Sequence, residues 1–395
     1  MDADARGQGG LNSKRQAMAV IGGGRWARVL LTVLRDLVSQ LNGKGTTEID
    51  SIFWVTDHAP QAAQVYLDNQ QWENVSLVPR SKIPFSELVA GVVASSPRQH
   101  FADCQLLLDA KVPVLCEKPL VTSSREAGQL QALAAKQKTP LGVELPLMHA
   151  GFFRDFSRSV AGCIPDKIQI RWCDPWQEIR HGERKSPELT TDYITDMFPH
   201  VWSLLNVVRP DWRLKSIESV TYSPEQIQVE CRWGEEVLVE SVFSRRAETR
   251  ERRFWIEPQQ RGIDFAVEPG WTLAGVKRTD NPLCGERPLT RSLRRFLEVA
   301  HGQTAYEDWE ASVDRCLDSV EWTEALSARL QAEQENQLNR LVRDNAFDID
   351  CPEHRNRLID RWFPELSRTE ANALLKSPAR FRQWATQIVD DLGKR

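Results

Sequence analysis

The 395-residue chain sets 51 Lys and Arg against 55 Asp and Glu, a formal net charge of −4, with 27% of residues charged. A chain of this length exceeds what one core usually serves, so two domains with a minor appendage are expected, and the balanced charge excludes nucleic-acid binding built on bulk positive potential, leaving a small molecule as the expected ligand. Eight cysteines stand without paired spacing, no secretory apolar region precedes the first strand, and no apolar run approaches the ~18 residues of a membrane helix, so a reduced, cytoplasmic protein with no membrane partner is expected.

Residues 1–16 are polar and aperiodic and read as a flexible leader. Ala17 to Ile21 is a short apolar strand that runs into Gly22, Gly23, Gly24, Arg25, Trp26 and Ala27. An amphipathic helix follows, carrying Val29, Leu30, Val33, Leu34, Leu37 and Leu41. The glycine spacing satisfies GxGxxG/A: Gly22 allows the tight turn, Gly24 lets backbone approach a pyrophosphate, and Ala27 keeps helix and strand close. The exposed amides of the first helical turn favour a phosphate anion. Ser51 to Thr56 is the second strand and ends in Asp57, whose carboxylate can accept from the adenosine ribose hydroxyls and would repel a 2′-phosphate, favouring NAD over NADP. His58 beside it reads as a surface turn residue.

A helix over Pro60 to Asn69 and a strand over Val75 to Val78 continue the alternation. Val89 to Ala94 is the next strand; Ser95 and Ser96 follow it, with Ser96 placed to cap a helix that begins at Pro97 and carries His100, Cys104, Leu107 and Leu108. The strand Val112 to Cys116 ends in Glu117, Lys118 and Pro119, which sets an ammonium group at the carboxyl edge of the sheet, where open α/β sheets bind ligands. Ser123 and Glu126 form a capping box for a helix through Lys136, and Leu141 to Leu145 is the last strand. Alternation of this kind implies a Rossmann-type doubly wound parallel sheet over residues 17–147.

From about Met148 the rhythm changes. Ile168–Trp172, Ile217–Tyr222, Ile227–Trp233, Glu236–Phe243, Arg253–Glu257 and Ile263–Val267 are strand-like runs joined by short polar turns, so an α+β domain with a largely antiparallel open sheet is expected over 148–334. One helical segment, within Thr190 to Val208, interrupts it, with Asp196 as its cap, Pro199 in the first turn and His200 near its start. Helices over Leu289–Ala300 and Trp309–Gln334 close this domain, and a helical extension occupies 335–395. There Ser367 and Glu370 make a capping box and Ser377 caps a helix begun by Pro378. Arg245, Arg246, Arg250, Arg252 and Arg253 read as the solvated face of a sheet edge or a subunit contact. Cys351 and His354 lack the further ligands of a zinc site, so no metal is expected. The fourteen tryptophans read as core and interface filler.

VIGGGRWA at Val20–Ala27, SSPRQH at Ser95–His100, CEKPL at Cys116–Leu120 and DMFPH at Asp196–His200 together resemble the Gfo/Idh/MocA family of nicotinamide-dependent oxidoreductases, over roughly Met18 to Leu330. The resemblance implies NAD or NADP held against Gly22, Gly24, Arg25, Trp26, Asp57, Ser95, Ser96, Pro97, His100, Glu117 and Lys118. It implies that Lys118 polarises the substrate oxygen, that His200 acts as general acid/base and that Asp196 orients the site. Hydride would pass between nicotinamide and a carbonyl/alcohol or imine/amine of a small metabolite, in a homo-oligomer, dimer or tetramer. Two departures stand out: Phe198 replaces the family glycine and Ser203 an aspartate. With the absence of arginine from VELPLMH at Val143–His149, they point to a ligand with a flat or apolar portion rather than a simple polyhydroxylated one. The alternatives are a catalytically idle dinucleotide-binding sensor or partner subunit, and an imine reductase of a biosynthetic pathway.

Overall fold

A computed structural model of the chain describes residues 16–354 and 356, apart from 44, 46–48, 176–177, 181–182, 186–191, 223–225, 235, 246, 267–270, 274–275, 279–285, 345–350 and 355. Residues 1–15 of the expected leader and the caps at Ser367, Glu370, Ser377 and Pro378 lie outside the described residues. The chain divides into two compact units, the first comprising residues up to Val121, Arg125–Glu144 and Leu289–Cys316, the second Thr122–Ser124, Leu145–Pro288 and the residues from Leu317 on.

In the first unit, strands β1 (Ala17–Ile21), β2 (Ser51–Val55), β3 (Val75–Val78), β4 (Leu88–Val93), β5 (Val114–Glu117) and β6 (Leu141–Glu144) alternate with helices α1 (Arg25–Gly43), α2 (Pro60–Gln70), α3 (Pro97–Asp109) and α4 (Ser124–Gln137). The sheet is wholly parallel in the order β3-β2-β1-β4-β5-β6. Parallel strands are covered on both faces, and β1, β5 and β6 are accordingly buried along their whole length. Helix α1 turns Ala27, Leu30, Leu31, Leu34, Leu37, Val38 and Leu41 inward at the three-and-four spacing of an amphipathic helix.

The second unit begins with α5 (Gly151–Ser159) and β7 (Lys167–Cys173). A small antiparallel hairpin of β8 (Glu178–Arg180) and β9 (Glu183–Lys185) follows, and then α6 (Tyr193–Val208). Strands β10 (Leu214–Tyr222), β11 (Ile227–Trp233), β12 (Val237–Ser244), β13 (Glu251–Glu257) and β14 (Arg261–Asp264) complete a sheet in the order β10-β11-β12-β7-β13-β14. A further hairpin pairs β15 (Trp271–Leu273) with β16 (Val276–Arg278). Every neighbour in the large sheet is antiparallel except β12 beside β7: the chain leaves β7, passes through the β8–β9 hairpin, α6, β10 and β11, and re-enters alongside β7 in the same direction. Burial alternates along β7, β11, β12 and β13, so one face carries the core. Phe153 and Phe156 of α5 meet Phe254 of that face edge-on, at 5.4 and 5.9 Å between ring centroids.

Helix α7 (Pro288–Ala300), expected to close the second domain, instead joins the first core: Leu293, Phe296 and Leu297 cluster with Met18, Leu30, Leu34 and Trp54. Its continuation covers the free edge of β6. Val143 N–H donates to Ala311 O at 2.8 Å, Gly142 bridges Ser312 in antiparallel sense, and Trp309 stacks on Phe296 at 5.7 Å. Gly142 is glycine for this reason, since a Cβ there would lie 2.1 Å from the Trp309 ring. An exposed sheet edge invites further pairing, and this segment blocks it. The final helix, α8 (Val313–Asp344), extends beyond the expected Gln334.

Candidate functional site

The carboxyl edge of the parallel sheet gathers the predicted cofactor residues. The sheet's switch point lies between β1 and β4, and the turn after β1 is tied there: Gly22 N–H donates to Val55 O at 2.9 Å, Ala94 N–H to Ile21 O at 2.7 Å, and the buried Trp54 indole N–H to Gly22 O at 2.6 Å. Gly22 sits at φ +145°, and a Cβ on it would come within 2.4 Å of Ala94 O. A Cβ on Gly24 would meet nothing within 4 Å. The first glycine is thus required by the turn, whereas the second leaves open space where α1 presents amides without intrahelical acceptors. That combination fits a dinucleotide pyrophosphate, with Arg25 and Trp26 in the same first turn.

A chain of polar contacts runs along this edge. Asp57, exposed after β2, accepts from Arg80 N–H at 3.1 Å, and the Arg80 guanidinium pairs with the buried Asp103 carboxylate. Asp103 also accepts from Ser95 Oγ at 2.6 Å. His100 then spans the end of β4 and the segment after β5, with Nε2 3.0 Å from Ser95 O and Nδ1 2.8 Å from Pro119 O. A neutral imidazole can donate to only one of the two. Burial pushes the ring's pKa below the ordinary histidine value, against the opposing pull of these carbonyl oxygens. Ser96 occupies the N-cap position of α3 with Pro97 first in the helix, but its side chain makes no cap hydrogen bond. Arg80 and Asp103 were not singled out in the sequence; a carboxylate among the inward positions of α3 was the available signal.

Lys118 follows directly on β5, half-buried, with a cis peptide to Pro119. Beside it, the Glu117 carboxylate accepts from the Trp26 indole N–H. Glu117 is the register partner of Glu144 on β6, a fully buried carboxyl group that sequence reading passed over within an apolar strand. Ser292 Oγ donates to Glu144 Oε2 at 3.0 Å, while Oε1 has no hydrogen-bond partner among the described residues. Burial, and then the Glu117 charge, push the Glu144 pKa well above the carboxylate range. Glu144 therefore keeps its proton to higher pH than an ordinary carboxyl group.

In the second unit, α6 carries His200 and Asp196 four residues apart, on one helix face. Asp192, not Asp196, is the N-cap: its carboxylate accepts from Thr195 N–H at 2.9 Å. Pro199 consequently lies inside the helix rather than in its first turn, leaving the Thr195 carbonyl without the amide that position 199 would donate. Asp196 instead pairs with Arg245 at 3.5 Å, and that guanidinium lies 4.6 Å from the centre of the Tyr193 ring. His200 stacks on Trp172 of β7, with 4.7 Å between centroids and 7° between planes. Of the arginine run read as solvated, Arg252 departs: it is 2% exposed and pairs with the equally buried Asp174 at 2.6 Å. Phe198 is packed in the core, and Ser203 Oγ donates back to His200 O at 2.7 Å. Neither side chain is exposed on α6.

Among the described residues no cluster of metal-ligating side chains occurs, and no helix is long and apolar enough to cross a membrane. Residues 17–145 match the GFO_IDH_MocA family, described as an oxidoreductase family with an NAD-binding Rossmann fold. No curated protein sequence matches the chain. Among solved structures, UDP-N-acetylglucosamine 3-dehydrogenase GnnA from Acidithiobacillus ferrooxidans is similar over 81% of this chain and 99% of its own, at 17% identity and a TM-score of 0.61. An inositol dehydrogenase homolog complexed with NAD+ from Azotobacter vinelandii is similar over 80% and 96%, at 13% identity and 0.61. An oxidoreductase from Thermotoga maritima is similar over 79% and 96%, at 13% identity and 0.62. At these identities the likeness shows the shared fold, a Rossmann sheet followed by a second, largely antiparallel one. Over residues 17–145 the chain is similar to the GFO_IDH_MocA family of NAD-binding oxidoreductases.

Proposed function

We propose that the protein is a dehydrogenase or reductase that uses NAD in preference to NADP, with Lys118 orienting the substrate and His200 as its general acid/base. The observation that carries the reading is the position of Lys118, half-buried directly past the carboxyl end of β5, in the sheet whose switch-point turn leaves open space at Gly24. Bound nicotinamide supplies or accepts the hydride. The Lys118 ammonium donates to the substrate oxygen and holds the negative charge that develops there. In oxidation, neutral His200 takes the hydroxyl proton; in reduction, its imidazolium returns that proton to the oxygen, or to nitrogen for an imine. Asp196, anchored by Arg245, steadies the helix face that bears His200. The exposed Asp57 carboxylate, held by the Arg80 amide, supports NAD because a 2′-phosphate there would meet negative charge.

The test combines NADH and NADPH titrations with turnover of a panel comprising UDP-N-acetylglucosamine, myo-inositol and a cyclic imine, for the native chain, Lys118→Ala and His200→Gln. Cofactor-dependent turnover of one panel member, reduced by about 10²-fold or more in each variant, supports the assignment. Full activity of Lys118→Ala overturns it, and tighter binding of NADPH than NADH overturns the role of Asp57.

A further inference from the structure

The geometry points to Trp172 as the positioning residue of His200: a rigid indole platform, held by the buried Arg252–Asp174 pair, that fixes the plane of the imidazole. The inference rests on the reading of His200 as the acid/base and adds what holds it in place. Histidine's second side-chain torsion has broad, roughly two-fold wells, so the helix alone does not select the ring plane. Proton exchange with a substrate oxygen needs a ring nitrogen aimed at it within hydrogen-bond reach, which makes that plane matter.

Trp172 is built to select it. The residue is only 6% exposed on the inner face of β7, where its register partners are Phe243 on β12 and Arg252 on β13. Three side chains therefore lie in one row across adjacent strands, all on the core side. The Arg252 guanidinium lies 4.2 Å from the indole centre and donates to Cys173 O at 2.7 Å, Glu251 O at 2.7 Å and Asp174 Oδ1 at 2.6 Å. A cation so tethered cannot follow the indole if it swings, so the contact resists rotation of Trp172. His200 aligns with the plane of this fixed ring to within 7°. A stacking contact holds an imidazole without occupying either nitrogen, whereas a hydrogen bond uses one. Arginine on the core side of a strand is costly unless paired, and here the pairing places it directly against the platform.

The test uses the full chain with ¹³C-labelled histidine. The His200 Cε1–H resonance is assigned as the one lost in His200→Gln and compared in Trp172→Phe, which keeps a flat π-face, and Trp172→Leu, which keeps apolar bulk without one. The expected result is a ring-current shift of His200 that persists in Trp172→Phe and is lost in Trp172→Leu, while resonances of the other histidines stay in place. With the panel compound that is turned over, kcat falls about tenfold or more in Trp172→Leu and is largely restored in Trp172→Phe, with KM held within about twofold. A His200 resonance unmoved by Trp172→Leu overturns the stack. A moved resonance with unchanged kcat, where His200→Gln is inactive, overturns the positioning role and leaves the acid/base reading intact. Full activity of His200→Gln overturns both.

Discussion

Replacing Arg252 by Met removes the charge from the platform while keeping most of the side chain's apolar stem. Three acceptors lose a donor: the Cys173 and Glu251 carbonyls and the Asp174 carboxylate. Asp174 is only 3% exposed and cannot recover its partner from bulk water without opening the sheet. Breaking a buried ion pair from one side costs about 3–5 kcal/mol, because the surviving charge stays desolvated. Loss of the guanidinium–indole contact adds about 0.5–2 kcal/mol, and the retained methylene packing offsets part of the total. The expected destabilisation is about 4 kcal/mol. For a cooperative unit of this size it lowers Tm by roughly 8–16 °C, at about 2–4 °C per kcal/mol. Differential scanning calorimetry of Arg252→Met, Asp174→Asn and the double variant measures it. The double variant, which no longer buries an unpaired carboxylate, should recover at least about 1.5 kcal/mol of the loss. A single variant within about 0.5 kcal/mol of the native chain, the range of ordinary surface substitutions, would refute the reasoning.

Glu144→Gln should raise stability by a margin that widens with pH. Glu144 is protonated in the folded chain well above the ~4.3 at which it ionises when unfolded, so the folded state binds the extra proton and the native chain loses stability as pH rises above that value. Denaturation midpoints from about pH 5 to pH 8 that run parallel for the two proteins would contradict this. Gly24→Ala should fold with a stability within about 0.5 kcal/mol of the native chain, because the new Cβ meets open space. The same methyl group would fill the room left for the pyrophosphate, so NADH affinity by fluorescence titration should fall about tenfold or more, and unchanged affinity would remove Gly24 from the cradle.

The parallel sheet was legible because its signals are local: apolar runs of strand length, a glycine turn and a serine-proline helix start each act within a few residues. The placement of α7 was not, because it depends on Trp309 finding Gly142, residues 167 positions apart, and nothing in either neighbourhood states that pairing. The cap of α6 was open to misreading for another reason. Asp192 and Asp196 both precede apolar residues, and only the bond from Asp192 to the Thr195 amide decides between them. Choosing Asp196 placed Pro199 comfortably in a first turn, so a favourable local rule supported the wrong boundary. The helix tolerates the proline inside because its other residues are well buried.

The arginine run shows how two readings of the same letters compete. Counted as charge, Arg245 to Arg253 is a solvated surface. Read with a strand's period of two, ERRFWIE sets Arg252, Phe254 and Ile256 on one face, and IQIRW does the same for Ile168, Ile170 and Trp172. The period was present in the sequence and already named an arginine on the apolar side. A charge in that position must find a partner or be excluded from the core. Asp174, two residues past Trp172 on the neighbouring strand's continuation, satisfies the requirement. Asp103 and Glu144 repeat the pattern in the first unit: each is a carboxyl group at an inward position, answered by Arg80 and Ser95 in one case and by Ser292 and a raised pKa in the other. Charged residues at core periodicity, more than the abundance of charge, are therefore the sequence signal that lies nearest to the groups assigned here to chemistry.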